Sequence, residues 1–132
     1  MTKMYIDFSV VSQTKSIFLD PFFSTGKINK IDKGCVWGKR QLIADFYEWQ
    51  LYTEKIDCID VNNILLEFYN SCKKNIDKIV NVINSVEGKV DVCVVIDRGE
   101  NDDGDFSISL DTEVIDFLHK IHACFCIDGI YQ

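Results

Sequence analysis

An α+β fold, in which a mostly antiparallel sheet of four or five strands carries two main helices on one face, is predicted by three features of the 132-residue sequence. Apolar and polar residues alternate with period two at Lys3–Val11 and Phe46–Thr53, the pattern of half-buried strands. Apolar residues recur at helical spacing between Val61 and Val86, and again between Val114 and Ile121. The β-branched run Val90–Ile96 has the composition of a central strand buried on both faces. The resulting order, β, loop, β, α, β, α, β, suits helices layered on one side of a sheet.

In the first strand Ile6, Phe8 and Val10 share one side, opposite Asp7 and Ser9. Ile17–Lys33 lacks periodicity and is broken by Asp20-Pro21 and Ser24-Thr25-Gly26, which reads as a loop with one short helical turn. The second strand sets Tyr47, Trp49 and Leu51 against Glu48, Gln50 and Tyr52. Asp60 caps a helix whose stripe runs through Val61, Ile64, Leu65, Phe68, Tyr69 and Cys72. Ile76, Ile79, Val80, Ile83 and Val86 continue it, as one helix or as two meeting near Asn75, up to Gly88. After the central strand comes an acidic loop, Asp97–Asp105, and a short extended segment, Phe106–Ser109. A second helix, capped by Ser109 or Asp111, buries Val114, Ile115, Leu118 and Ile121, and a last strand follows around Phe125–Ile130.

A chain of this length with 47% hydrophobic residues can form one core without cross-links, and a single domain spanning 1–132 is expected. The N-terminal residues lack a charged segment leading into an uninterrupted apolar run, so no secretory signal is expected there. Cys35, Cys58, Cys72, Cys93, Cys124 and Cys126 then read as reduced thiols in a cytoplasmic protein. The formal net charge of −7 disfavours nucleic acid and anionic membranes as partners. The charge is uneven: Lys27–Arg40 carries five cations against Asp32, whereas Asp91–Asp116 carries nine anions against Arg98.

The opening strand, the Asp20-Pro21 loop, Lys33-Gly34, Trp49, and Phe106-Ser107-Ile108-Ser109-Leu110 leading through a helix to Ile127-Asp128-Gly129-Ile130-Tyr131 form a set. Over nearly the whole chain this set resembles the uncharacterised bacterial domain-of-unknown-function family four-two-seven-nine. The resemblance implies an α+β fold and brings no assigned chemistry. Small acidic members of such families look like the immunity proteins encoded beside bacterial toxin genes, an analogy of fold.

Four constellations bear on function. His119-x-x-His122-x-Cys124-x-Cys126 gathers four zinc-type ligands, the histidines on one helical face and the cysteines on one strand face, but matches no common zinc module. Surface histidines followed by ordinary strand cysteines are preferred. A Cys/His nucleophile pair from the same residues lacks an orienting third group. The acidic loop fails as a calcium loop, since Gly104 at the sixth position would put Gly99 first and Leu110 twelfth. It also lacks the rigidly held carboxylate pair of a hydrolase. Basic Lys27–Arg40, with Trp37, is too weakly cationic for nucleic acid and reads as a solvated loop with Trp37 tucked against the core edge. No glycine-rich phosphate loop is present.

The expectation is therefore a cytoplasmic binding protein with no catalytic residue, no metal ligand and no cofactor. Its partner is a cognate protein toxin, a basic nuclease, rather than nucleic acid or membrane. Asp97, Glu100, Asp102, Asp103, Asp105, Glu113 and Asp116 form the predicted docking patch. The alternative is a small-molecule sensing or regulatory domain with a pocket between sheet and helices.

Overall fold

A computed structural model describes residues 2–99 and 108–131, the side chains of 130 and 131 excepted. The chain runs through β1 (Lys3–Ser12), a 3-10 turn at Asp20–Phe22, β2 (Lys27–Ile31), β3 (Val36–Trp37), β4 (Leu42–Ile43), β5 (Tyr47–Tyr52) and β6 (Ile56–Asp57). Then come α1 (Val61–Cys72), a 3-10 turn at Lys73–Asn75, α2 (Ile76–Ser85), β7 (Lys89–Arg98), α3 (Thr112–Lys120) and β8 (Ala123–Tyr131). The fold is α+β.

The main sheet has six strands in the order β2-β5-β1-β7-β8, with β6 also paired to β1. It is mixed: β1 pairs antiparallel with β5, β6 and β7, and β2 with β5, but β7 and β8 run parallel. This corrects the expected count of four or five strands, and it adds a parallel edge. The helix α3 sets that direction, because a crossover returns the chain to the end of the sheet from which β7 started. Strand β2 falls in what the sequence suggests is loop. Gly26 makes its approach to β5 possible: at φ +98°, an added Cβ would lie 2.8 Å from both Leu51 Cδ1 and the Tyr52 carbonyl oxygen.

Strand alternation divides the sheet into two faces. Met4, Ile6, Phe8 and Val10 of β1, Trp49 and Leu51 of β5, and Val90, Val92, Val94 and Ile96 of β7 point to one side, where all are buried. The register stacks them in rows, Val10 between Trp49 and Val90, and Phe8 between Leu51 and Val92. Helices cover this side. Phe68 of α1 reaches Phe8 at 5.5 Å and stacks on Phe23 at 5.9 Å between ring centroids. Each such side chain stabilises the fold by about 1.5–3 kcal/mol through burial.

The helical stretch from Val61 to Ser85 is divided by the 3-10 turn at Lys73–Asn75, the position where the sequence left one helix or two open. Asp60 is the N-cap as its chemistry requires, accepting from the Asn62 amide at 2.9 Å. Glu87, at φ +52°, and not Gly88, takes the left-handed position after α2. Gly88 is needed for space, since a Cβ there would lie 2.7 Å from Val10 Cγ1.

Asp111 is the N-cap residue of α3, but its carboxylate accepts from Asn62 Nδ2 at 3.0 Å instead of capping its own helix, while its amide donates to Asn62 Oδ1 at 2.8 Å. That reciprocal pair ties α3 to α1. In α3 the buried stripe is Val114, Phe117 and Leu118, continued by Ile121; Ile115, expected inside, is 50% exposed. Phe117 takes the inward place because it meets Phe68 and Tyr69 of α1.

The strands β3 and β4 form a separate ribbon. Val36, Trp37, Leu42 and Ile43 are exposed on it, and Trp37 packs edge-on against Phe46 outside the main core cluster. The expected place of Trp37 at the core edge is corrected accordingly.

Candidate functional site

Of the seven residues predicted to form the docking patch, Glu100, Asp102, Asp103 and Asp105 lie outside the described residues. The other three do not share a surface. Asp97 follows the buried Ile96 on β7, so it points to the side of the sheet away from the helices, where Lys55 Nζ donates to its Oδ2 at 3.1 Å. Glu113 and Asp116 lie on α3, in the helix layer. They border a cleft of about 270 Å³ together with Lys73, Lys74 and Lys120, and Lys120 is itself paired with Asp77 at 3.0 Å. The protein's own lysines therefore lie close to all three.

A different acidic surface emerges on the other face of the sheet, which no helix covers among the described residues. The register gives its rows directly. Tyr52, Asp7, Cys93 and Cys126 stand side by side across β5, β1, β7 and β8. Gln50, Ser9, Asp91 and Cys124 form the next row, then Glu48, Val11 and Lys89, and on the other flank Tyr5, Val95 and Asp128. Gln50 Nε2 donates to Asp7 Oδ1 at 2.9 Å, and the Cys93 thiol donates to Asp128 Oδ2 at 3.4 Å.

The electrostatics of this face are self-opposing. Burial raises the Asp7 carboxyl above its ordinary range; the Gln50 hydrogen bond pulls it back, and the charges of Asp128 and Asp91 push it up again. Burial raises Glu48 too, followed by Asp7 and Asp91. The Tyr52 hydroxyl is raised by burial and then by Asp7. Burial, with Cys126 and Asp128 next in effect, raises the Cys93 thiol.

The histidines and cysteines separate differently from the expected quartet. His122 lies just past α3 with φ +54°, donating its amide to the His119 carbonyl, so it is the residue that ends the helix. The His119 and His122 rings are 6.0 Å apart. Cys126 instead joins Cys93 and Asp128: one ligand-type atom from each lies within 4.8 Å of the others, and this is the one such group among the described residues. Cys72 is buried in the core, and desolvation pushes its thiol up to about 12.

Two signals for this face were in the sequence, Asp7 interrupting β1 and Cys124-x-Cys126-x-Asp128 alternating along β8. Reading them together requires the strand order, which places β7 between them.

Among the described residues no helix is long and apolar enough to cross a membrane. No protein-family model, curated protein or solved structure matches the chain.

Proposed function

We propose that this chain is a non-catalytic binding protein for a positively charged protein, and that it serves as an immunity protein against a basic toxin. The observation that carries the reading is the sheet face away from the helices, where the strand register gathers Asp7, Glu48, Asp91 and Asp128. There Asp91 and Asp128 raise the Asp7 carboxyl, and Asp7 and Asp91 the Glu48 carboxyl, after burial has done so. A cationic surface docking there relieves that repulsion and gains steered association. Asp97 lies on the same face near the end of β7; Glu100, Asp102, Asp103 and Asp105 follow it in sequence, lie outside the described residues, and are included in the proposal for their charge alone.

Two further features support a protein partner over a catalytic or small-molecule role. Raised thiols at Cys72 and Cys93 are the opposite of an activated cysteine nucleophile. Two clefts formed by the described residues, of about 270 and 280 Å³, fall below the usual range for ligand pockets of roughly 300–1,000 Å³, and the first is lined mainly by opposed charges.

The test uses the protein encoded beside this chain's gene as partner, with association followed by stopped flow at low and high salt. Asp91→Lys combined with Glu48→Lys is expected to slow association by about tenfold or more, and by less at high salt. Glu113→Lys with Asp116→Lys is expected to leave it within about twofold, because those charges lie in the helix layer among lysines. An undiminished rate in the sheet-face variant overturns the reading.

A further inference from the structure

The uncovered face holds a second kind of chemistry that docking does not use. Cys93 and Cys126 are registered neighbours on the parallel strands β7 and β8, and Asp128 follows Cys126 by two residues, so all three side chains rise from the same face. Their donor atoms converge to within 4.8 Å of one another. Cys93 is 7% exposed and already hydrogen-bonds Asp128, whereas Cys126 is open to solvent.

We propose that Cys93, Cys126 and Asp128 form a binding site for a thiophilic divalent cation, with zinc as the ion whose chemistry fits the donor set. Two thiolates and one carboxylate select a borderline-soft ion over magnesium or calcium, which take oxygen ligands. Distances favour it as well. Zinc–sulfur bonds of about 2.3 Å in a tetrahedron put two sulfurs about 3.8 Å apart. Adjacent strands lie about 4.8 Å apart, so side-chain rotation alone brings the sulfurs to that separation. A disulfide asks more of the backbone, because it needs Cβ atoms about 3.8 Å apart while parallel registered neighbours keep theirs near the strand spacing.

The scaffold is suited to the task. Both strands are held in a continuous hydrogen-bonded ladder, and β7 is anchored by the core residues Val92 and Val94 on its other side. Asp7, registered with Cys93 on β1, adds negative charge that attracts a cation. The fourth position is open to a solvent ligand from the side of Cys126 and Asp128, which are exposed. On binding, each thiol loses its proton to solvent as its sulfur bonds the metal, so two protons leave as the dication arrives. The formal charge of the face is then unchanged, and the site stands independently of the docking reading.

Cobalt(II) is the probe, titrated into the reduced, metal-free full chain under anaerobic conditions. The expected result is one equivalent bound with a sulfur-to-cobalt charge-transfer band and the intense visible bands of a tetrahedral ion, all displaced by zinc. Loss of an outer-sphere partner already costs about 10–100-fold in affinity, so Cys126→Ser and Asp128→Ala are each expected to weaken binding by at least about 100-fold. Both residues are exposed, and a thermal melt checks that the variants fold. Cys124→Ser, one row away on the same strand, is expected to bind as the parent does. The proposal is overturned by absence of the charge-transfer band in the parent protein, by a band of full strength in Cys126→Ser, or by a band that depends on Cys124 instead.

Discussion

The two faces of the sheet are made by the same strands and have opposite economies of interaction. On the helix side the side chains of β1, β5 and β7 are mostly apolar and close-packed, and polar atoms that enter are satisfied: Trp49 Nε1 donates to Asp20 Oδ1 at 2.8 Å, and the buried Ser12 hydroxyl donates to the Val86 carbonyl. On the other side the same strands carry carboxylates and thiols whose pKa values are raised by partial burial first and by one another second, with the Gln50 amide pulling Asp7 back. Stability is invested in the first face, while the second tolerates unfavourable charge. On the docking reading proposed above, a cationic partner meets a potential on this face that complements its own.

The contrast can be broken most strongly from the covered side. Trp49→Ala removes a side chain with no exposed area, packed against Phe8 and Phe23, and is expected to cost about 3–5 kcal/mol in chemical denaturation. A loss below about 1 kcal/mol would show that this face is not the main source of stability.

A middle-sized effect is expected at Asp20. Burial pushes its carboxyl up, but the Lys30 ammonium at 2.9 Å and the hydrogen bond from Trp49 outweigh it and hold the carboxyl below 3.8. Its contribution is therefore complete above the unfolded value and fades as pH falls through the lower folded one. Asp20→Ala leaves the buried indole N–H without its partner and is expected to cost about 1–3 kcal/mol at neutral pH, and less in acid.

The smallest effect is expected at Glu48, where the sign of the change is diagnostic. Glu48 has its carboxyl raised above 4.5, so the folded state holds the proton more tightly than the unfolded chain. The stabilisation this gives is present below the unfolded value and is lost as pH rises through the folded one. Glu48→Gln is therefore expected to stabilise the protein at neutral pH by up to about 0.5 kcal/mol, and to lose that advantage as pH falls and the wild-type carboxyl takes up its proton, as read by melts across pH. Destabilisation at neutral pH would mean that Glu48 has a favourable role on this face.

Local pattern carried most of the elements. Alternation located β1 and β5, the run Val90–Ile96 located β7, and Asp60 marked the start of α1, because each signal depends on neighbours in sequence. Strand β2 was hidden: Lys27, Asn29 and Lys30 dominate it, and it lies at the sheet edge where little burial is demanded. Ile115 and Phe117 were exchanged in the expected stripe, since helical spacing allows either and the aromatic contact with α1 decides.

The acidic surface was legible as charge and not as place. Counting along Asp91–Asp116 joins residues that the fold separates, Asp97 on one side of the sheet and Glu113 and Asp116 in the helix layer on the other. Asp7, Glu48, Asp91 and Asp128 are far apart in sequence and meet through pairing of β1, β5, β7 and β8. No window of residues contains that information.

The parallel pairing of β8 with β7 has a consequence for how the molecule is assembled. Since α3 must cross before β8 can align, the most apolar strand keeps one bare edge until residues 123–131 have taken their place. During synthesis that edge is an open template for another nascent chain. Any variant that slows the docking of α3 therefore lengthens the interval in which the chain is prone to aggregate, even when the finished protein is equally stable.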